Sequence, residues 1–276
     1  MDLTIMGCSG SVSADLRTTC LMLDEDTLID CGTGAGDLDL AAMVNIDRVF
    51  LTHSHLDHVA MLPLLADSAG SFRDSPLTVY ALAETIATLK SHIFNSFIWP
   101  DYTVQPTPER PYIQFEALES GQAVVCEGRK ITALPARHAV PAVGYLVDSG
   151  KSAFAFSGDT TLCDEFWDAL NQVGNLNYLM IEATFLDSNR ARAKLSGHMT
   201  PSLLAEGLKR LKRPPAHCVG RPSRELAEGL KRLKRPPGIL ITHMESGREE
   251  ETMKEILALC KAFEPRAVKR GDVFEL

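Results

Sequence analysis

His53-Ser54-His55-Leu56-Asp57-His58 decides how this chain is read. Four side chains able to bind a metal fall within these six residues. The stretch follows Arg48–Leu51, a short apolar run that predicts a strand, and precedes Val59–Ala66, where the pattern predicts a helix. A strand-to-helix loop holds its side chains between rigid elements, as a ligand site requires. Imidazole and carboxylate suit zinc, manganese or iron. A catalytic ion keeps an open coordination position, so four groups exceed what a single ion needs. Two divalent ions, zinc first and manganese or iron as alternatives, are the expectation. The plainer alternative is a solvated, histidine-rich turn.

Three further candidates lie downstream, each just past a predicted strand. His138 follows Ile131–Leu134, Asp159 follows Ala153–Phe156, and His243 follows Gly238–Thr242. Any one alone reads as a cap or surface residue. With the six-residue cluster they complete a two-metal set. Other short apolar runs predict strands at Leu3–Met6, Cys20–Leu23, Thr27–Ile29, Leu77–Tyr80, Val124–Cys126, Gly144–Val147 and Tyr178–Ile181. Helical spacing appears at Ala83–His92, Cys163–Val173 and Glu249–Phe263, and Thr200-Pro201 offers a hydroxyl cap and a first-turn proline for another helix. Residues 94–111 are irregular, aromatic and proline-rich. Strands in both halves with helices between them, and no linker, predict one α/β domain built as a layered sandwich.

Composition narrows the function classes. The chain has 276 residues and a net charge of −8, which gives no general case for a polyanionic partner or an anionic membrane. No apolar run approaches the roughly 18–20 residues of a transmembrane helix, and Met1–Gly10 lacks a signal-peptide layout. The 7 cysteines are scattered with no Cys-x-x-Cys pair, which predicts buried thiols in a reducing cytoplasm. One oddity qualifies the charge. LAEGLKRLKRPP occurs at 204–215 and again at 226–237. The 22-residue unit 204–225 carries six basic and two acidic side chains, so the remainder would stand at −12. Two copies fall short of a solenoid, so the unit reads as a tandem echo. Leu204, Leu208 and Leu211 form the same stripe as Leu226, Leu230 and Leu233, so two identical helices compete for one groove. The first copy is expected to dock, because it adjoins His198. His217 and Cys218 lie inside the echo and are left out of the metal set.

The ligand order and number resemble the metallo-β-lactamase superfamily, and in particular its phosphodiesterase branch. Ile29-Asp30-Cys31-Gly32-Thr33-Gly34 is similar to the strand ending in Asp-x-Gly that lies behind the metals there. The resemblance implies a four-layer αβ/βα sandwich. It also implies that His53, His55 and His138 hold one metal, that Asp57, His58 and His243 hold the other, and that Asp159 bridges. Ile181–Phe185 and Gly197–Thr200 resemble the Glu-Ala-Thr and His-x-Thr elements of the tRNA 3′-end endonucleases. That likeness makes Glu182 the residue that orients His198, and His198 the acid that protonates the leaving oxygen. Asp57 is counted with this pair among the catalytic residues. Imidazole suits the task, since an alkoxide leaving phosphorus needs a proton.

The reaction implied is in-line attack of a metal-bound hydroxide on a phosphodiester. The bacterial 3′,5′-cyclic-nucleotide phosphodiesterases share a His-x-His-Leu-Asp-His signature, with Leu56 in place; Met61 departs from the small residue common three positions after it. A tRNA 3′-end endonuclease is the alternative. Its basic arm has no room between His138 and Asp159, and the acidity disfavours tRNA. Thioester or lactone hydrolysis is a further alternative, opposed by the Glu182–His198 pair. Phe97, Trp99 and Tyr102 offer aromatic faces to a purine, against ordinary packing. A small phosphodiester is the expected partner, with no membrane, and the resemblance implies a homodimer.

Overall fold

A computed structural model describes residues 1–212 and 237–276. The chain divides into two compact units: Met1–Ser120 with Val140–Ala142 and Val268–Glu275, and Gly121–Ala139 with Val143–Ala267.

The first unit is built on β1 (Asp2–Gly7), β2 (Cys20–Leu23), β3 (Thr27–Ile29), β4 (Arg48–Phe50) and β5 (Leu77–Leu82). Among them lie α1 (Leu40–Asn45), α2 (Leu56–Val59) and α3 (Leu62–Gly70), with α4 (Ala83–His92) after β5. A small ribbon, β6 (Pro106–Thr107) with β7 (Arg110–Pro111), precedes β8 (Ile113–Leu118). β1 to β3 run antiparallel, whereas β3, β4, β5 and β8 are parallel neighbours in that order. Parallel pairing with Ile29 opposite Phe50 sets the carboxyl ends of β3 and β4 side by side. The faces of α3 and α4 cover the sheet through Leu62, Leu65, Ala66 and Leu89.

The second unit repeats the scheme. Its strands are β9 (Ala123–Cys126), β10 (Arg129–Pro135), β11 (Val143–Asp148), β12 (Ala153–Phe156), β13 (Leu176–Glu182), β14 (Gly238–Thr242) and β15 (Arg266–Ala267). They lie in sequence order across one sheet, antiparallel from β9 to β12 and parallel from β12 to β15. Its helices are α5 (Asp164–Leu170), α6 (Arg190–Ser196), α7 (Pro201–Leu208) and α8 (Glu249–Cys260). The C-terminal strand β16 (Val273–Glu275) pairs with β1 in the first unit's sheet.

The predicted helix over Val59–Ala66 is in fact two helices. Cys31 explains the break: its N–H donates to the His58 carbonyl at 2.7 Å and its carbonyl accepts from Met61 N–H at 2.9 Å. Pro63, lacking an N–H, then falls in the first turn of α3. β8, α1 and α6 were not predicted. β8 is an edge strand of mixed burial, and the two helices are short, with only Ala193 buried. Tertiary contact rather than pattern holds such elements.

The Leu stripe of the first copy is docked in the second unit's core. Leu204 and Leu208 are fully buried and Leu211 nearly so, all in the second unit's core. Gly207 lies against the Trp167 ring so closely that a Cβ would meet it at 2.3 Å. The stripe of the second copy, with His217 and Cys218, lies outside the described residues. Thr200 is the N-cap by position, but its hydroxyl makes no capping bond. Asp187 does that work instead, accepting from Ser202 N–H at 3.1 Å and from the Ser202 hydroxyl at 2.6 Å. Among the described residues no helix is long and apolar enough to cross a membrane.

Candidate metal centre

In the first unit the predicted cluster sits past the end of β4. His55 is the N-cap of α2, and Asp57 and His58 ride on its single turn. The rings of His53 and His58 are 4.3 Å apart and those of His53 and His55 4.6 Å. Ligand-capable atoms of His53 and His55 lie within 4.8 Å of one another, as do those of Asp57 and His58. Three neighbouring imidazoles would repel one another as cations, whereas as neutral bases they suit a metal.

Behind them stands Asp30, fully buried at the end of β3 with a left-handed backbone, φ 58°. Its carboxylate accepts from His58 Nδ1 at 2.7 Å, from Thr52 N–H at 2.8 Å and from the Thr52 hydroxyl at 2.9 Å. Since that hydroxyl donates to Asp30, its lone pair accepts from His53 Nδ1 at 3.0 Å. Each Nδ1 therefore carries the proton, and each Nε2 keeps the lone pair that a metal takes. Burial pushes the Asp30 carboxyl up, against the opposing pull of His58 and Thr52.

The second unit presents a matching arrangement. Glu182 closes β13, fully buried. One oxygen accepts from His198 Nδ1 at 2.8 Å and Thr160 N–H at 2.7 Å. The other accepts from the Thr184 hydroxyl at 2.6 Å, Thr184 N–H at 3.3 Å and Met199 N–H at 3.1 Å. The Thr184 hydroxyl, its proton committed to Glu182, accepts from His243 Nδ1 at 3.2 Å. His243 follows β14 with φ 57°, so both units place a strained non-glycine residue at a strand end beside the ligands.

His138 donates Nδ1 to the Gly197 carbonyl at 3.1 Å, and burial lowers its basicity, which favours the neutral ligand form. Asp159, 2% exposed beyond β12, has one oxygen 3.4 Å from His243 Nε2 and 4.0 Å from His138 Nε2. Ligand-capable atoms of Asp159, Glu182 and His198 also lie within 4.8 Å of one another. Glu182 is the poorest ligand of these, because five donors already occupy its two oxygens.

Of the predicted residues, His53, His55, Asp57 and His58 thus cluster in one unit, and His138, Asp159, Glu182, His198 and His243 in the other. Sequence reasoning left Thr52 and Thr184 without a role, although Thr52 immediately precedes His53 and Thr184 ends the Glu-Ala-Thr segment. The proposed aromatic trio does not form. Tyr102 is a core residue whose hydroxyl bonds Asp67 and whose ring packs on Tyr112, and Trp99 packs against the same core. Only Phe97 stands out, 94% exposed. The described cysteines are all free thiols, five of the six buried, as expected.

Residues 26–219 match the family described as Beta-lactamase superfamily domain, and the chain belongs to this superfamily. It is similar to a probable 3′,5′-cyclic-nucleotide phosphodiesterase of Yersinia pestis, 30% identical over 61% of this chain and 52% of the relative. The chain thus matches about half the length of that protein. It is also 26% identical to ribonuclease Z of Bradyrhizobium diazoefficiens, over 72% of this chain and 82% of that one. The solved metallo-β-lactamase fold protein YhfI from Bacillus subtilis superposes with a TM-score of 0.70 at 18% identity, covering 99% of this chain and 98% of that one. The fold is therefore the α/β sandwich of the metallo-β-lactamases.

Proposed function

We propose that this chain is a binuclear-metal phosphodiesterase whose substrates are 3′,5′-cyclic nucleotides. The donor set fits metal. His53, His58, His138 and His243 each have Nδ1 tied to a protein acceptor, which leaves Nε2 for coordination. His53, His55 and His138 would hold one ion, Asp57, His58 and His243 the other, and Asp159 would bridge. Two such ions, zinc in the first instance, supply an activated water and neutralise phosphoryl charge.

The observation that carries the reading is the 2.8 Å bond between His198 and Glu182. A carboxylate behind Nδ1 stabilises imidazolium, so Nε2 holds a proton for the departing ribose oxygen. Thioesters and activated lactones need little such help. A tRNA 3′-end endonuclease is the second reading, favoured by the longer match to ribonuclease Z. Against it, the chain between His138 and Asp159 is taken up by the β11–β12 hairpin, with no basic arm.

The test is a panel: metal-analysed protein on cyclic AMP, a precursor tRNA, bis-p-nitrophenyl phosphate and an acyl thioester. Two ions per chain and turnover of cyclic AMP are expected. Thioester hydrolysis without phosphodiesterase activity would overturn the assignment, and cleavage confined to tRNA would transfer it to the second reading.

A further inference from the structure

We propose that Arg192 is the base-stacking residue of this enzyme, receiving the nucleobase of a nucleotide on its open guanidinium face. The proposal deepens the phosphodiesterase reading and rests on it for the identity of the ligand. Arg192 projects from α6, and its Cζ lies 4.6 Å from the centroid of the Phe185 ring. Phe185, 6% exposed, makes a T-shaped contact with His198, ring centroids 5.6 Å apart. The guanidinium therefore stands one aromatic ring away from the imidazole that would protonate the leaving oxygen, within the span of one nucleoside.

Two features favour a base over a second phosphate. Arg192 is already paired with Glu245 at 2.9 Å, which offsets its charge and fixes its direction. Its side chain remains 64% exposed, so a group held by ring on one side and carboxylate at one nitrogen still offers solvent a flat, weakly hydrated surface. Guanidinium planes bind bases by stacking and cation–π attraction without selecting among them. Glu245 is itself anchored, its N–H donating to the Thr184 carbonyl at 3.0 Å, so the clamp is joined to the Glu182–Thr184 segment. Among the described residues, Tyr102 is buried in its own unit's core and Trp99 packs against that core, so neither offers the base an open face.

The probes are AMP and ribose 5-phosphate, titrated calorimetrically into metal-loaded protein. Both carry the same phosphate, and only AMP carries a base. The wild type should bind AMP about tenfold more tightly, as expected for one stacked base. Arg192→Ala should remove that preference and leave ribose 5-phosphate unchanged. Arg192→Lys keeps the charge but not the plane, and should behave as the alanine variant toward AMP. The proposal is overturned if the wild type shows no preference for AMP, if Arg192→Ala weakens both ligands alike, or if Arg192→Lys retains full AMP affinity. Failure here with cyclic AMP turnover intact removes only the stacking role. Loss of phosphodiesterase turnover in the wild type, with the AMP preference present, would instead remove the reaction assigned above.

Discussion

Replacing Glu182 by glutamine keeps the shape of the side chain and removes half of what it does. Its two oxygens accept from Thr160 N–H and His198 Nδ1 on one side and from Thr184 N–H, Thr184 Oγ1 and Met199 N–H on the other. An amide group presents an NH2 to one of these sides in either orientation, so at least two buried donors face a donor. A buried donor left unpaired costs roughly 1–3 kcal/mol, and two cost about twice that. For a chain of this size each kcal/mol lowers Tm by about 2–4 °C, so the variant should melt on the order of 10 °C lower. Activity should separate by leaving group. In the reaction proposed above, the His198 imidazolium would lose its carboxylate, and cyclic AMP hydrolysis should fall by about 10²–10⁴, the usual reach of general acid catalysis. Bis-p-nitrophenyl phosphate expels a stable phenolate and should lose far less. Both rates should be measured well below the melting temperature of the variant. Equal losses on the two substrates would refute the acid role and leave Glu182 a structural carboxylate.

Other perturbations follow from single contacts. Gly197 has φ 74°, and a Cβ there would lie 2.7 Å from Ala139 N and 2.9 Å from the His138 carbonyl carbon. Gly197→Ala should displace the His138 segment, lowering Tm and metal content together, as read by calorimetry and metal analysis. Asp187→Ala removes the side chain that caps α7 and should cost about 1 kcal/mol in urea unfolding. Burial pushes the Asp187 carboxyl up, but bonds from the Ser202 hydroxyl and N–H and the charge of Arg190 outweigh it, so its folded pKa lies below the ordinary value of 3.8. The advantage of wild type over Asp187→Ala should thus be fully present above that value and vanish as pH falls through the lower folded pKa. Deletion of 204–225 places an identical Leu stripe after Leu203 and should leave Tm and activity unchanged within a few degrees and a factor of about two. Failure of the deleted chain to fold would show that the extra unit is structural.

The candidate metal ligands were legible in the sequence because coordination chemistry restricts the residue types, and because short strands announce themselves by apolar runs that stop where these residues begin. His138, Asp159 and His243 each follow such a run, and Gly238–Thr242 and Ala153–Phe156 have the predicted bounds. Less legible was anything decided between elements. The break in Val59–Ala66 arises from backbone bonds to Cys31, almost thirty residues earlier in the chain. The cap of α7 comes from Asp187, although Thr200 occupies the capping position, and Tyr102 is a core residue despite its place in an irregular aromatic stretch.

By itself the sequence determined the chemistry on offer: imidazoles and carboxylates at strand ends, a Glu-Ala-Thr segment, a histidine sixteen residues past its glutamate. Only the tertiary structure decided what those groups hold. Parallel pairing aligns the ends of β3 and β4, and of β13 and β14, so that Asp30 lies beside Thr52 and His58 and the Glu182–Thr184 segment beside His243, while the α6–α7 turn brings His198 to Glu182. Thr52 and Thr184 then extend each carboxylate to a second imidazole. A hydroxyl has one proton, and giving it to the buried carboxylate turns its lone pair toward the neighbouring Nδ1. That choice of tautomer, made by packing, is what leaves each Nε2 ready for a metal.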